Sequence, residues 1–167
     1  MKKYLLIILI LIQSSSIALA DEYTPTGFYD VDYLTLDNGL KVILKKREGA
    51  RNASIRLVVG TGYLDYEFGK QETPHLLEHA MFSGTTKHSE TELDELVNTH
   101  GGSWNAFTEP HTTIYTIDIY SKYTNLGIET LYEMMTDSVL SMEGVESSRN
   151  IVSRELNNDA SPYIQFL

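Results

Sequence analysis

His75, Glu78 and His79 stand within five residues of one another, in the run Thr73-Pro-His-Leu-Leu-Glu-His-Ala-Met81. The spacing predicts a helix. Pro74 suits its first turn, where a missing N–H costs no hydrogen bond, and Thr73 is placed to cap it. At about 100° per residue, the two imidazoles fall about 40° apart and the Glu78 carboxyl about 60° to the other side. All three project from one narrow face, which leaves Leu76, Leu77, Ala80 and Met81 to pack inward on the other. A fold built around this segment must bury one side of the helix and give the polar side something to do.

Two imidazoles four residues apart can hold one zinc ion through neutral ring nitrogens. The neighbouring carboxylate can then take a proton from a water that the metal polarises. H-x-x-E-H is the inverse of the H-E-x-x-H order found in metalloproteases. A merely solvated polar face is the alternative. A zinc site of this kind also needs a third protein ligand and one open position. Glu155 is the best candidate, because a helix expected from about Gly144 to Asp159 sets it within the apolar arc of Ile151, Val152, Val145 and Leu156. A carboxylate aimed at a core requires a partner, either a metal or an arginine. Asp159 shares that face and is the weaker candidate. With no cysteine in the chain, thiolate ligands, disulfides and a cysteine nucleophile are all excluded.

The remaining sequence supplies an address and a scaffold. Lys2 and Lys3, an apolar run from Tyr4 to Ile12, and Ala18-Leu19-Ala20 describe a cleavable export signal over residues 1–20. The apolar run is well short of the roughly 20 residues that a bilayer requires, so no stable membrane anchor is expected after cleavage. A periplasmic or secreted location follows. Residues 21–32 read as an irregular acidic arm and residues 33–167 as one domain. The balance of 13 basic against 23 acidic residues, a formal charge of -10, argues against nucleic acid as a partner.

Tyr33 to Leu36 and Leu40 to Lys45 flank Asp37-Asn38-Gly39, a hairpin signature in which Asn-Gly supplies the positive φ of the turn. Ala53 to Gly60 alternates as a strand. Ser89 and Glu92 form a capping box for a helix carrying Leu93, Leu96 and Val97 and ending at Gly101-Gly102. Ser103 to Thr108 and Thr112 to Tyr120 read as strands. Lys122 to Val139 reads as a helix with Ile128, Leu131, Met135 and Val139 on its buried stripe. The order predicts an α+β fold, a mixed and largely antiparallel sheet with helices packed on one face.

The run from Thr73 to Thr85 closely resembles the signature of the pitrilysin-type inverzincins, peptidase family M16, which includes insulin-degrading enzyme and the mitochondrial processing peptidases. Asp37-Asn-Gly-Leu-Lys-Val42, Gly101-Gly-Ser-Trp-Asn-Ala-Phe-Thr108 with Thr113 to Tyr115, and Val152-Ser-Arg-Glu155 resemble further family segments. The resemblance implies a zinc metalloendopeptidase with one Zn2+ per chain. His75, His79 and Glu155 would be the metal ligands and Glu78 the catalytic base. Asn105 and Ala106 would be the strand edge that binds a peptide or unfolded polypeptide substrate. His88, His100 and His111 match no ligand position of the family. Many members also carry a second acidic residue seven positions before the glutamate ligand, where this chain has Ser148. Family enzymes enclose substrate between two related halves, each longer than this chain without its leader. The resemblance therefore implies a first half that is incomplete at its C-terminal end. It would be completed by a second peptidase half or partner subunit, or else serve as a non-catalytic binding subunit.

Overall fold

The computed structural model describes residues 31–158, so the expected signal over 1–20, nearly all of the 21–32 arm and Asp159 lie outside the described residues. These residues fall into two compact units divided between Gly49 and Ala50, each described by itself.

The first unit is the hairpin. β1 (Asp32–Thr35) and β2 (Lys41–Leu44) pair antiparallel, with Tyr33 opposite Ile43. Gly39 adopts φ +87°, and the Leu40 N–H donates to Asn38 Oδ1 at 3.0 Å. The Asn-Gly pair thus makes the turn for which the sequence selects it.

The second unit is a three-stranded antiparallel sheet with helices on one face. β3 (Asn52–Val59), β4 (Ser103–Thr108) and β5 (Thr113–Tyr120) lie in the order β3-β5-β4, so β4 is an edge strand of the described sheet. Ile55, Ile117 and Trp104 align across it, as do Leu57, Tyr115 and Ala106. These side chains share one face because strand residues alternate. That face meets α1 (Thr73–Met81), α2 (Glu90–Thr99) and α3 (Thr124–Asp137), and the core forms from Met81, Val97, Tyr115, Ile117, Ile119, Leu131 and Met134. On the far face Arg56 pairs with Asp118 at 3.0 Å and Ser54 donates to the same carboxylate. Charge on that side and hydrocarbon on this one fix the register of the sheet. α4 (Met142–Asn158) packs against α1. No helix among the described residues is long and apolar enough to cross a membrane.

Three local expectations are corrected. α1 begins with Thr73 already inside it and Glu72 at the N-cap position, so Thr73 is not the cap. Leu77 is 43% exposed, because α1 seats Ala80 and Met81 against the core and turns Leu77 outward. In α3 the buried line is Gly127, Thr130, Leu131 and Met134, while Ile128 is 50% exposed. The cause is Gly127, where a Cβ would lie 2.6 Å from Ile55 Cδ1. The helix makes its closest approach to the sheet at a residue with no side chain, which rotates the contact line away from the apolar pattern. The Ser89–Glu92 capping box forms as read, with Ser89 N–H donating to Glu92 Oε2 at 2.8 Å.

Candidate metal centre

α1 lies between the β4 edge and α4, and its polar face closes a cleft of about 390 Å³. His75 and His79 are one turn apart on that face, with ring centroids separated by 5.0 Å. Their Nε2 atoms are 3.3 Å apart. Glu155, reaching across from α4, sets Oε2 at 3.2 Å from each of them. The two imidazoles are 23% exposed and the Glu155 side chain 45% exposed, so the group opens to the cleft on one side. Among the described residues, Glu155 is thus the candidate third ligand that reaches the histidines.

The triangle can be tested against a metal. In a tetrahedral zinc site with bonds of about 2.1 Å, ligand atoms lie about 3.4 Å from one another. The sides observed, 3.2 to 3.3 Å, are close to that edge length. The donor chemistry agrees. Glu72 Oε2 lies 3.0 Å from His75 Nδ1, an arrangement that assigns the ring proton to Nδ1 and leaves a lone pair on Nε2. Two imidazole lone pairs and a carboxylate oxygen facing one point repel each other unless a proton or a metal cation sits among them. His75, His79 and Glu155 thus fit a zinc ion through nitrogen and oxygen ligands, with the cleft side open.

Glu78 is buried on the same helix, and the Thr108 hydroxyl of β4 donates to its Oε2 at 2.5 Å. This bond gives a buried carboxylate the donor it requires. Tyr115 stands below it: burial, and then the negative charge of Glu78, push its hydroxyl up to about 12, so it remains a neutral phenol. Asn105 and Ala106 line the cleft beside the cluster, with Asn105 exposed and Ala106 buried. The Ala106 N–H donates to Asn105 Oδ1 at 2.9 Å. Tyr63 completes the rim. It is carried there by Gly62, where a Cβ would come 1.9 Å from the Glu109 carbonyl oxygen, and its N–H donates to that oxygen at 3.1 Å.

The structure therefore brings all six expected residues to one cleft: His75, Glu78, His79, Asn105, Ala106 and Glu155. Other histidines are spent elsewhere. His88 Nδ1 meets Glu133 at 2.9 Å, His100 Nδ1 meets the Leu96 carbonyl at 2.7 Å, and His111 Nδ1 meets Asp65 at 2.8 Å. Ser148 is buried with its hydroxyl donating to the Gly144 carbonyl, and Glu146 pairs with Arg149, so neither supports the cluster. Sequence reasoning missed Glu72 and Thr108. Glu72 had a signal, since it precedes His75 by three residues and such pairs are neighbours on a helix. Thr108 had only its place on a strand beside Asn105.

A helix bearing H-x-x-E-H, laid against the edge strand of an antiparallel sheet and met by a carboxylate from a distant helix, is the layout of a pitrilysin-type peptidase domain. The family model for insulinase (peptidase family M16) matches residues 41–165. The chain belongs to that family. It is 29% identical over 128 residues to the uncharacterized zinc protease YmxG of Bacillus subtilis, a match covering 73% of this chain and 30% of the relative. It is 31% identical over 122 residues to the mitochondrial-processing peptidase subunit beta of Rattus norvegicus, covering 72% and 24%. Among solved structures, a protease from Helicobacter pylori superposes with a TM-score of 0.71 at 27% identity, covering 75% of this chain and 30% of that one. The chain spans less than a third of the length of each of these proteins.

Proposed function

We propose that this chain is the zinc-bearing part of a metalloendopeptidase that hydrolyses peptides or unfolded protein segments. The observation that carries the reading is the triangle of His75 Nε2, His79 Nε2 and Glu155 Oε2, which matches a tetrahedral edge and opens on the cleft. These three residues would hold one Zn2+. When bound, the ion supplies Lewis acidity, which polarises a peptide carbonyl and makes water a nucleophile near neutral pH. Glu78 is the general base. Thr108 engages its Oε2, so Oε1 is assigned to take the proton from water and deliver it to the departing amine. The β4 edge at Asn105 and Ala106 holds the substrate backbone as an added strand. In that step the Ala106 N–H exchanges the Asn105 side chain for a substrate carbonyl.

The match covers only 30% of the Bacillus relative and 24% of the rat relative, which is named as a subunit. We assign the missing walls of the cleft to a second peptidase half or partner subunit, and turnover to the assembled pair. Without that partner, the same residues make a zinc-binding module with little activity. The leader pattern at residues 1–20 supports an exported protein, periplasmic or secreted, whose domain starts near residue 33.

Zinc content by metal analysis, followed by cleavage of a quenched fluorescent peptide with and without a candidate second half, tests the reading. One zinc per chain, with cleavage abolished by Glu78→Gln while the metal stays, is the expected result. A chain that takes up no zinc, or cleavage indifferent to Glu78→Gln, overturns it.

A further inference from the structure

We infer that Glu72 is a positioning residue for the metal centre, holding the His75 ring so that Nε2 faces the point shared with His79 and Glu155. The inference rests on the zinc reading above and adds to it a residue that lies outside the H-x-x-E-H run. An imidazole on a single helix turn has two rotatable bonds, and both of its nitrogens can ligate. Something must choose the nitrogen and fix the ring. His79 and Glu155 cannot do this for His75, because both of their polar contacts with it fall on the Nε2 side.

Glu72 acts from the other side. Its Oε2 lies 3.0 Å from His75 Nδ1, opposite the nitrogen that meets Glu155 at 3.2 Å. A carboxylate accepting the Nδ1 proton selects the tautomer with a free lone pair on Nε2, and it raises the basicity of that nitrogen as a ligand. Glu72 is well placed for this by the backbone. It occupies the N-cap position of α1, yet its side chain makes no bond to the helix N–H groups and turns along the helix to the residue three places on. Cap and clamp are alternative uses of one carboxylate, and here the side chain is committed to the clamp.

The chain also needs such a group. Ser148 stands where the family pattern has a supporting acid, and its hydroxyl is spent on the Gly144 carbonyl. Glu72 reaches the ligand set from α1 itself, without help from α4. The Glu72 and His75 side chains are 48% and 23% exposed, so the pair has little value as a surface ion pair. Its effect belongs to the metal affinity.

The test is a zinc dissociation constant, measured on the 167-residue chain by competition with a chromophoric chelator. Wild type is compared with Glu72→Ala, Glu72→Gln, His79→Ala and Glu155→Ala, and the metal-free melting temperature of each is recorded. Glu72→Ala is expected to keep one zinc per chain with an affinity about 10- to 100-fold weaker, the usual consequence of losing an outer partner of a ligating histidine. Glu72→Gln, whose amide oxygen still accepts the Nδ1 proton, is expected to recover most of that loss, with metal-free melting unchanged in both. An affinity within twofold of wild type in Glu72→Ala, while His79→Ala and Glu155→Ala lose zinc, overturns the role of Glu72 and leaves the metal centre standing. An affinity loss that Gln does not restore and that tracks a lower metal-free melting temperature assigns Glu72 to helix stability and also overturns it. Zinc binding that survives His79→Ala and Glu155→Ala overturns the metal-centre reading itself.

Discussion

Two clusters in the second unit pair histidine with glutamate, and they differ in where their unshared electrons point. Around His88 the polar groups pair off with one another: Glu133 Oε1 takes the Thr85 hydroxyl and faces His88 Nδ1, while Lys87 reaches Asp137 at 2.9 Å. That cluster ties the loop after α1 to α3 and is complete without any further component. Around His79 two ring nitrogens and a carboxylate oxygen turn toward one point instead. Similar residues thus make a rivet in one place and a socket in the other. The distinguishing mark is convergence of ligand atoms on one point, which composition does not report.

Exchanging the roles experimentally should expose that difference. The largest effect is expected from His79→Ala, which should remove stoichiometric zinc by metal analysis, whereas His88→Ala should leave one zinc per chain. A loss of metal in both would erase the distinction. The next largest concerns stability. Glu133→Ala removes the carboxylate shared by the buried Thr85 hydroxyl and His88, leaving Thr85 only the longer bond to the His88 carbonyl at 3.3 Å. It should cost about 1 kcal/mol in urea unfolding of the metal-free chain, with zinc affinity unchanged. The smallest is a pH effect. Burial pushes the Glu133 carboxyl up, but hydrogen bonds from Thr85 and His88 outweigh it, and the group is held below its ordinary 4.5. A lowered folded value means stability that is present above that ordinary value and lost as the pH falls through the folded one. Wild type should therefore lose stability below about pH 4.5 more steeply than Glu133→Gln.

Much of this could be read from the chain. The H-x-x-E-H face, the Glu155 position, the hairpin turn and the capping box each follow from spacing rules that act within a few residues. What escaped involves neighbours distant in sequence. The contact line of α3 turns on Gly127, which an apolar pattern passes over because its contribution is an absent side chain. Leu77 looked inward by periodicity and is exposed, since α1 seats Ala80 and Met81 against the core instead. Thr108 was quoted as part of a strand, but its hydroxyl acts on a residue 30 positions away. Glu72 lay within reach of a helix-spacing argument and was obscured by its place at the helix end.

The separation of Glu155 from His79, 76 residues along the chain, has a consequence beyond chemistry. The segment between them contains α2, β4, β5 and α3. On the proposed reading, one ion closes that segment into a loop, restricting the unfolded chain in the manner of a covalent tie. A sequence without cysteine has no disulfide with which to do this. Its tie is instead removable, and its strength depends on how much free metal surrounds it. A compartment starved of zinc would then meet a chain that is at once catalytically idle and easier to unravel, and scarcity would set its lifetime along with its activity.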